Sequence, residues 1–432
     1  MNKIILSILV IFFFNNCSFN ENSRIWKNKD KNLTNQKNIK KAFNENKELV
    51  SELNPQLQLD LSNIETGNKA LNNQNNLGSQ TYKGSLIKSA NYKFSTIDDI
   101  NGLNLKPVFL NDGLIFFNNK GSIIKYNNDQ KIVWEKNYYS KSENKIKPKL
   151  YFANNDENLI IVDNISKYYS VNINTGELNW SKANAYPFNS EIKLNKEKFF
   201  AVDYKNTLRC YNIPDGSECW NLPTQDSFTL SNAQHSVIVV NNQVIFSNSI
   251  GEITSVDIET GLIIWQVSTQ SIDIVNEAFK FKTSKLVSNG NSIFFSNNRN
   301  EFYSIDVNTG TINWTNEINS NLTPVIIDKL IFTVSNDGYL FIVEKDKGNI
   351  VRINDLLIDR DIKKRKYIRP IGFAIGGKNL FLTFNDGKII VVNLEQANIS
   401  YIEKVSGDYL SEPFIFNEKL YIIRNGSIIV YS

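Results

Sequence analysis

Ten residues recur along this chain. Ile305–Trp314 reads IDVNTGTINW, and VNINTGELNW (171–180), VDIETGLIIW (256–265) and, more loosely, YNIPDGSECW (211–220) repeat it. The tryptophans at 134, 180, 220, 265 and 314 are separated by 46, 40, 45 and 49 residues, and the frame continues to Arg352 and Tyr401 at steps of 38 and 49. A period of 40–50 residues made of strand-like pieces is the signature of a propeller blade. A single four-stranded sheet cannot cover its own faces, so such blades must stack around an axis.

Four short strands fit each period. Around Trp314 they are a short apolar lead-in, SIFFSN (292–297), EFYSIDV (301–307) and TINW (311–314), with turn residues such as Asn297-Asn298 between them. In IDVNTGTINW the Asp and Asn side chains can hold the turn backbone, and Gly310 supplies the positive φ of a tight loop. Gly176, Gly216 and Gly261 hold the same place in the other copies. The motif is expected to join the inner and outer pairs of strands. Trp134, Trp180, Trp220, Trp265 and Trp314 are expected on outermost strands, wedged between neighbouring blades and burying about 150–250 Å² each.

Seven frames end near Trp134, Trp180, Trp220, Trp265, Trp314, Arg352 and Tyr401, and residues 411–432 supply three more strands. The missing strand is assigned to ANYKFSTID (90–98), with Phe94 in the tryptophan position. The predicted fold is therefore all-β: an eight-bladed β-propeller of four-stranded antiparallel blades, closed by an N-terminal strand that removes the exposed edges. Composition agrees, since 41% hydrophobic and 12% aromatic residues suffice for a large core and Ile, Val, Phe and Tyr favour strands. Basic and acidic residues number 48 and 44, a net charge of +4 that gives no reason to expect a nucleic-acid surface.

The first residues, MNKIILSILVIFFFNNC, have Lys3 ahead of an eleven-residue apolar run that suits a signal peptide and is too short for a membrane span. Cys17 stands where bacterial lipoproteins carry their acylated cysteine, although Asn16 replaces the usual small residue before it. Cys17 is thus either a lipid anchor or an incidental cysteine beside a cleavage site. Ser18 in place of Asp favours the outer membrane. Residues 1–16 are read as the signal peptide, 17–85 as a mostly disordered Asn/Lys-rich tether, and 86–432 as the propeller. Within the tether, Ile39 to Leu53 keep a helical spacing before Pro55, either as a transient helix or as one that docks on a partner.

The D-x-x-T-G-x-x-x-W pattern resembles the pyrroloquinoline-quinone (PQQ) type repeat. The signal and lipid cysteine, tether, closing strand, eight blades and final S-E-P-F-x-x-N-x-K-L-Y together resemble the BamB family, the lipoprotein propellers of the outer-membrane β-barrel assembly machinery. The resemblance covers about 345 residues. It implies a non-catalytic scaffold without cofactor or metal, held to the membrane by its lipid. The implied partners are the periplasmic POTRA domains of the barrel-inserting outer-membrane protein, and unfolded outer-membrane proteins awaiting insertion. Family contacts lie in loops between central blades. The matching stretch, Ser227–Asn232, offers Phe228 and Leu230 as partner-binding residues or as side chains packed beneath the loop. The alternatives are a quinone-dependent dehydrogenase and a generic envelope-binding propeller. The adjacent cysteines common in the dehydrogenases are absent from the sequence.

Three further features carry expectations. Cys210 and Cys219 flank NIPDGS symmetrically and are expected to face each other and form a disulfide; a slipped register would leave two buried thiols. His235 is the only histidine, which rules out a multi-histidine metal site, and a solvated or capping role is expected for it. The stretch DRDIKKRKYIRP (359–370) reads as a solvated loop or as a contact with an acidic partner or anionic lipid.

Overall fold

In the computed structural model the repeats stand as eight sheets around an axis. The described residues are 50–61, 75–77, 79–80, 82, 84–98, 100, 105–225, 233–269, 281–396, 398–407 and 409–432. Glu52–Ser432 form one compact unit, and residues 1–51 are another, of which only Val50 and Ser51 are described.

Each blade is an antiparallel meander running from the axis outward. Blade V shows the pattern: Val287–Ser288, Ser292–Asn297, Glu301–Asp306 and Ile312–Asn316. The two middle strands are buried on both faces, which is why they read as continuous runs such as SIFFSN rather than as alternating ones. Blades I to VII span 108–136, 150–183, 193–223, 237–268, 287–316, 325–355 and 370–404. Blade VIII takes three strands from Leu410–Tyr431 and its fourth from Lys88–Lys93, which pairs antiparallel with Ser427–Tyr431 and closes the ring.

Two details differ from expectation. The recurring motif joins the third strand to the fourth, not the inner pair to the outer pair, since Asp306 ends one and Ile312 begins the other. Phe94 lies four residues beyond the tryptophan position. Ala90 holds that register, paired with Val430 just after a bulge as Trp180 is paired with Ser170. Phe94 instead packs on Phe116 of blade I, with ring centroids 4.9 Å apart.

The motif works as a lock between blades. A Cβ added to Gly310 would come within 2.8 Å of the Trp265 ring, and one on Gly216 within 2.6 Å of Trp180. Gly176 with Trp134, Gly261 with Trp220, and Gly348 with Trp314 repeat the contact. Each indole thus lies flat on the next blade's turn, where only glycine leaves room and where φ is positive, +73° at Gly310. The indole N–H then reaches a turn carbonyl, as from Trp265 Nε1 to Val307 O (2.8 Å) and from Trp180 Nε1 to Ile213 O (2.8 Å). Trp220 and Trp314 do the same, while Trp134 Nε1 has no partner among the described residues.

The stretch read as a tether is in part built into the propeller. Leu53 exchanges backbone hydrogen bonds with Ile353 on the outer strand of blade VI. Leu61 is buried between blades VI and VII, among Leu322, Val325, Phe373 and Ile375. Ser79–Gln80 pair in parallel with Ile375–Gly376 of blade VII. Tyr82 is then buried between blades VII and VIII, edge-on to Phe381 at 5.2 Å. The proposed helical spacing up to Leu53 lies largely outside the described residues, and Leu53 itself is extended.

Candidate functional site

The residue two positions ahead of several inner strands projects toward the axis. Lys106 precedes Val108, Glu191 precedes Lys193, His235 precedes Val237 and Lys285 precedes Val287. Lys106, Glu191 and Lys285 join Lys193 and Glu412 as five charged side chains at the centre of the ring. Lys193 Nζ lies 3.3 Å from Glu191 Oε2, and Lys285 Nζ lies 3.1 Å from Glu412 Oε1. Ser236 Oγ donates to Glu191 Oε1 (2.9 Å) and in turn accepts from Leu286 N (2.9 Å).

Charges this buried survive only as a mutually compensated set. Burial alone would raise the Glu191 pKa, but Lys193, Lys285 and a hydrogen bond from Asn76 outweigh it and hold the carboxyl well below the usual range. Burial lowers the Lys106 pKa to about 7, helped by the ammonium groups of Lys193 and Lys285. Lys285 is raised instead, because Glu412 and Glu191 together exceed the burial penalty. Two small cavities flank the cluster. One of about 90 Å³ is lined by Asn76, Lys106, Lys285, Phe373 and Glu412; one of about 30 Å³ by Lys106, Glu191, Gln234 and Lys285.

The chain's own N-terminal segment fills part of this centre. Asn76 Nδ2 donates to Glu191 Oε1 (3.1 Å) and Leu286 O (2.8 Å), while its Oδ1 accepts from Lys193 Nζ (3.1 Å). Asn75 Oδ1 accepts from Val239 N (3.0 Å), and Asn75 O accepts from Ser288 N (3.1 Å). The arrangement is a polar socket that grips an asparagine pair across blades III, IV and V. Sequence reasoning missed it, although the signal is present: LKPVF, SEIKL and TSKLV each set a charge at the same phase before an apolar inner strand.

His235 belongs to this region and is buried rather than solvated, which corrects the expectation for it. Its backbone N–H donates to Asn189 O (2.8 Å), so its place is set by the seam between blades III and IV. Burial lowers its pKa to about 4.

The cysteine register is displaced by one. Cys210 pairs with Trp220, and a bulge puts Glu218 opposite Tyr211, so the symmetric count about the turn fails. Every motif carries this bulge just ahead of its aromatic position, which lets the indole turn onto the next blade. Both sulfurs are thiols in this structure. Burial raises the Cys210 pKa, as does the neighbouring Cys219 thiol hydrogen-bonded to it. Cys219 Sγ also lies 3.3 Å from Asn212 Oδ1.

Phe228, Leu230 and Cys17 lie outside the described residues. The 359–370 stretch forms a short helix, Ile362–Arg365, capped by Asp361, between blades VI and VII. Among the described residues no group of three or more His, Cys, Asp or Glu side chains is arranged to hold a metal ion.

An eight-bladed ring with five seams locked by a turn glycine and a tryptophan is a β-propeller of the PQQ-repeat class. Over residues 105–354 the sequence matches the family described as outer membrane protein assembly factor BamB, and the chain belongs to that family. The crystal structure of BamB from Moraxella catarrhalis is similar with a TM-score of 0.65 at 17% identity, covering 81% of this chain and 100% of that one. A quinohemoprotein alcohol dehydrogenase from Comamonas testosteroni is similar with a TM-score of 0.60 at 9% identity, covering 80% of this chain and 76% of that one. A europium-containing methanol dehydrogenase follows with a TM-score of 0.57 at 10% identity, covering 79% and 84%. At these identities the likenesses speak for the fold alone. The comparison with curated protein sequences gives no match.

Proposed function

We propose that this chain is a non-catalytic scaffold lipoprotein of the outer-membrane β-barrel assembly machinery. The match to the BamB family across blades I to VI carries the reading. In this role the acylated Cys17 holds the protein on the periplasmic face of the outer membrane. The propeller binds the POTRA domains of the barrel-inserting subunit and aids delivery of unfolded outer-membrane proteins, with Phe228 and Leu230 as partner contacts. The axial charges support a structural role, because Asn76 of the same chain hydrogen-bonds Glu191 and Lys193 while Lys285 pairs with Glu412.

A mild-detergent pull-down of the tagged full chain from its own membranes tests the proposal. Recovery of a POTRA-bearing insertase, lost in a Phe228→Ala/Leu230→Ala variant, is the expected result. Clean recovery of the bait without an insertase would overturn it. Quinone and calcium binding would then be measured for the dehydrogenase alternative.

A further inference from the structure

The loop between blades VI and VII presents charge and apolar surface together. Lys363, Lys364, Lys366 and Arg369 are exposed, facing only Asp359 and Asp361 as exposed acids of the loop. Ile358 is 60% exposed and Tyr367 70% exposed. The presentation is fixed by the fold. Asp361 Oδ1 accepts from Lys363 N (2.8 Å), Arg365 Nη2 donates to Asp355 Oδ1 (2.6 Å), and Asn385 Nδ2 donates to Tyr367 O (2.9 Å). Arg365 is thereby consumed internally while the lysines stay outward, with Lys366 Nζ 4.8 Å from the centre of the Tyr367 ring.

Asp355 ties this loop to the tether as well, because its backbone N–H donates to Glu52 Oε1 (2.9 Å).

We propose that the loop 356–369 is an interfacial contact for anionic phospholipid, with Lys363, Lys364 and Lys366 meeting headgroup phosphates and Ile358 and Tyr367 entering the interface. Lysines beside an aromatic residue suit that boundary, where the charge stays wet and the ring is half-buried. The inference rests on the membrane-tethered reading of the chain and is independent of its protein partner.

The test uses the full chain from membranes, reconstituted on vesicles of phosphatidylcholine alone or with about 30% phosphatidylglycerol to supply anionic headgroups. Amide hydrogen exchange is followed across 356–369, with strand Tyr339–Glu344 as internal reference. Slowing of at least threefold on the anionic vesicles is expected, lost in Lys363→Glu/Lys364→Glu/Lys366→Glu and at high salt, and reduced in Ile358→Ser/Tyr367→Ser. Equal exchange on both vesicles would overturn the proposal, as it would if the loop served an acidic protein. Flotation separates the two readings. A chain floating only on anionic vesicles with a protected loop keeps the contact and removes the anchor, whereas one floating on neither removes both.

Discussion

Blades I to VI and blades VI to VIII are held together by different means. The first five seams carry a tryptophan laid on the next blade's turn glycine. At the sixth, Arg352 replaces the tryptophan, fully buried, and donates to Leu394 O (3.0 Å), the counterpart of the carbonyl the indoles reach. The same Nη1 donates to Leu57 O (2.7 Å), so this seam is completed by the N-terminal segment. At the seventh, Tyr401 stands in the tryptophan register and its hydroxyl accepts from Leu86 N (3.4 Å), while Tyr82 fills the seam. At the eighth, small Ala90 faces a turn where Gln130 takes the glycine place at φ +66°, with Gln130 Oε1 accepting from Asn91 N (2.8 Å). At the sixth and seventh seams, where the repeat degenerates, a strap from outside the repeat substitutes for it. A repeat can hold only neighbours of its own kind, and the closing blades are where that condition fails.

The largest expected effect comes from removing a lock. Trp265→Ala deletes a buried indole and its hydrogen bond, and should cost about 3–5 kcal/mol in denaturant unfolding. A cost under about 1 kcal/mol would show that the locks are incidental to stability. Removing the strap at Leu61 comes next. Leu61→Ala should cost about 2–4 kcal/mol and should speed hydrogen exchange in blade VII while leaving blades II to IV unchanged. Uniform acceleration across all blades would erase the distinction between the two regions.

The cysteine pair in the locked region sets a third test. We propose that Cys210 and Cys219 form a bond across the bulge in oxidised protein, contributing about 2–3 kcal/mol. Peptide mass spectrometry of protein purified without reductant should show the linked pair, and two alkylated thiols would remove the idea. Gly310→Ala should cost about 1–3 kcal/mol, because its Cβ would meet Trp265 in a strained backbone conformation. The paired change Trp265→Ala/Gly310→Ala should then be less than additive, since one contact underlies both.

The smallest effect separates the regions by pH. His235 has its pKa lowered to about 4 in the folded protein, against 6.5 for the unreacted side chain. The unfolded chain therefore binds more protons between these values, and stability should fall as pH drops through that window. His235→Gln should flatten the slope by about 1 kcal/mol at pH 5.5 relative to the parent protein. Arg352 keeps its charge across this range, so the strapped seam should show no matching slope. An unchanged difference between parent and variant from pH 7 to 4 would count against a buried neutral imidazole.

The fold was legible in the sequence because its unit recurs. Five tryptophans in phase, a glycine four residues before four of them and turn chemistry between apolar runs define the blade, the blade count and the closing strand, since each signal is local and is read several times over. Phe94 was misplaced because the bulge that shifts register by one residue leaves no mark of its own in the sequence. The same bulge moved Cys219 out of line with Cys210. The axial socket was only faintly legible, as a charge at one phase of the repeat, because what unites Lys106, Glu191, Lys285 and Glu412 is convergence across some 300 residues of chain. The strap was not legible at all. Residues 52–61 and 75–77 have the composition of a solvated tether, and they pack because Leu61 fills the degenerate seam between blades VI and VII and Asn76 fills the axial socket. Periodicity alone determined the propeller; tertiary structure decided how it is closed, because the free energy of docking an irregular segment belongs to the groove it enters rather than to its own residues.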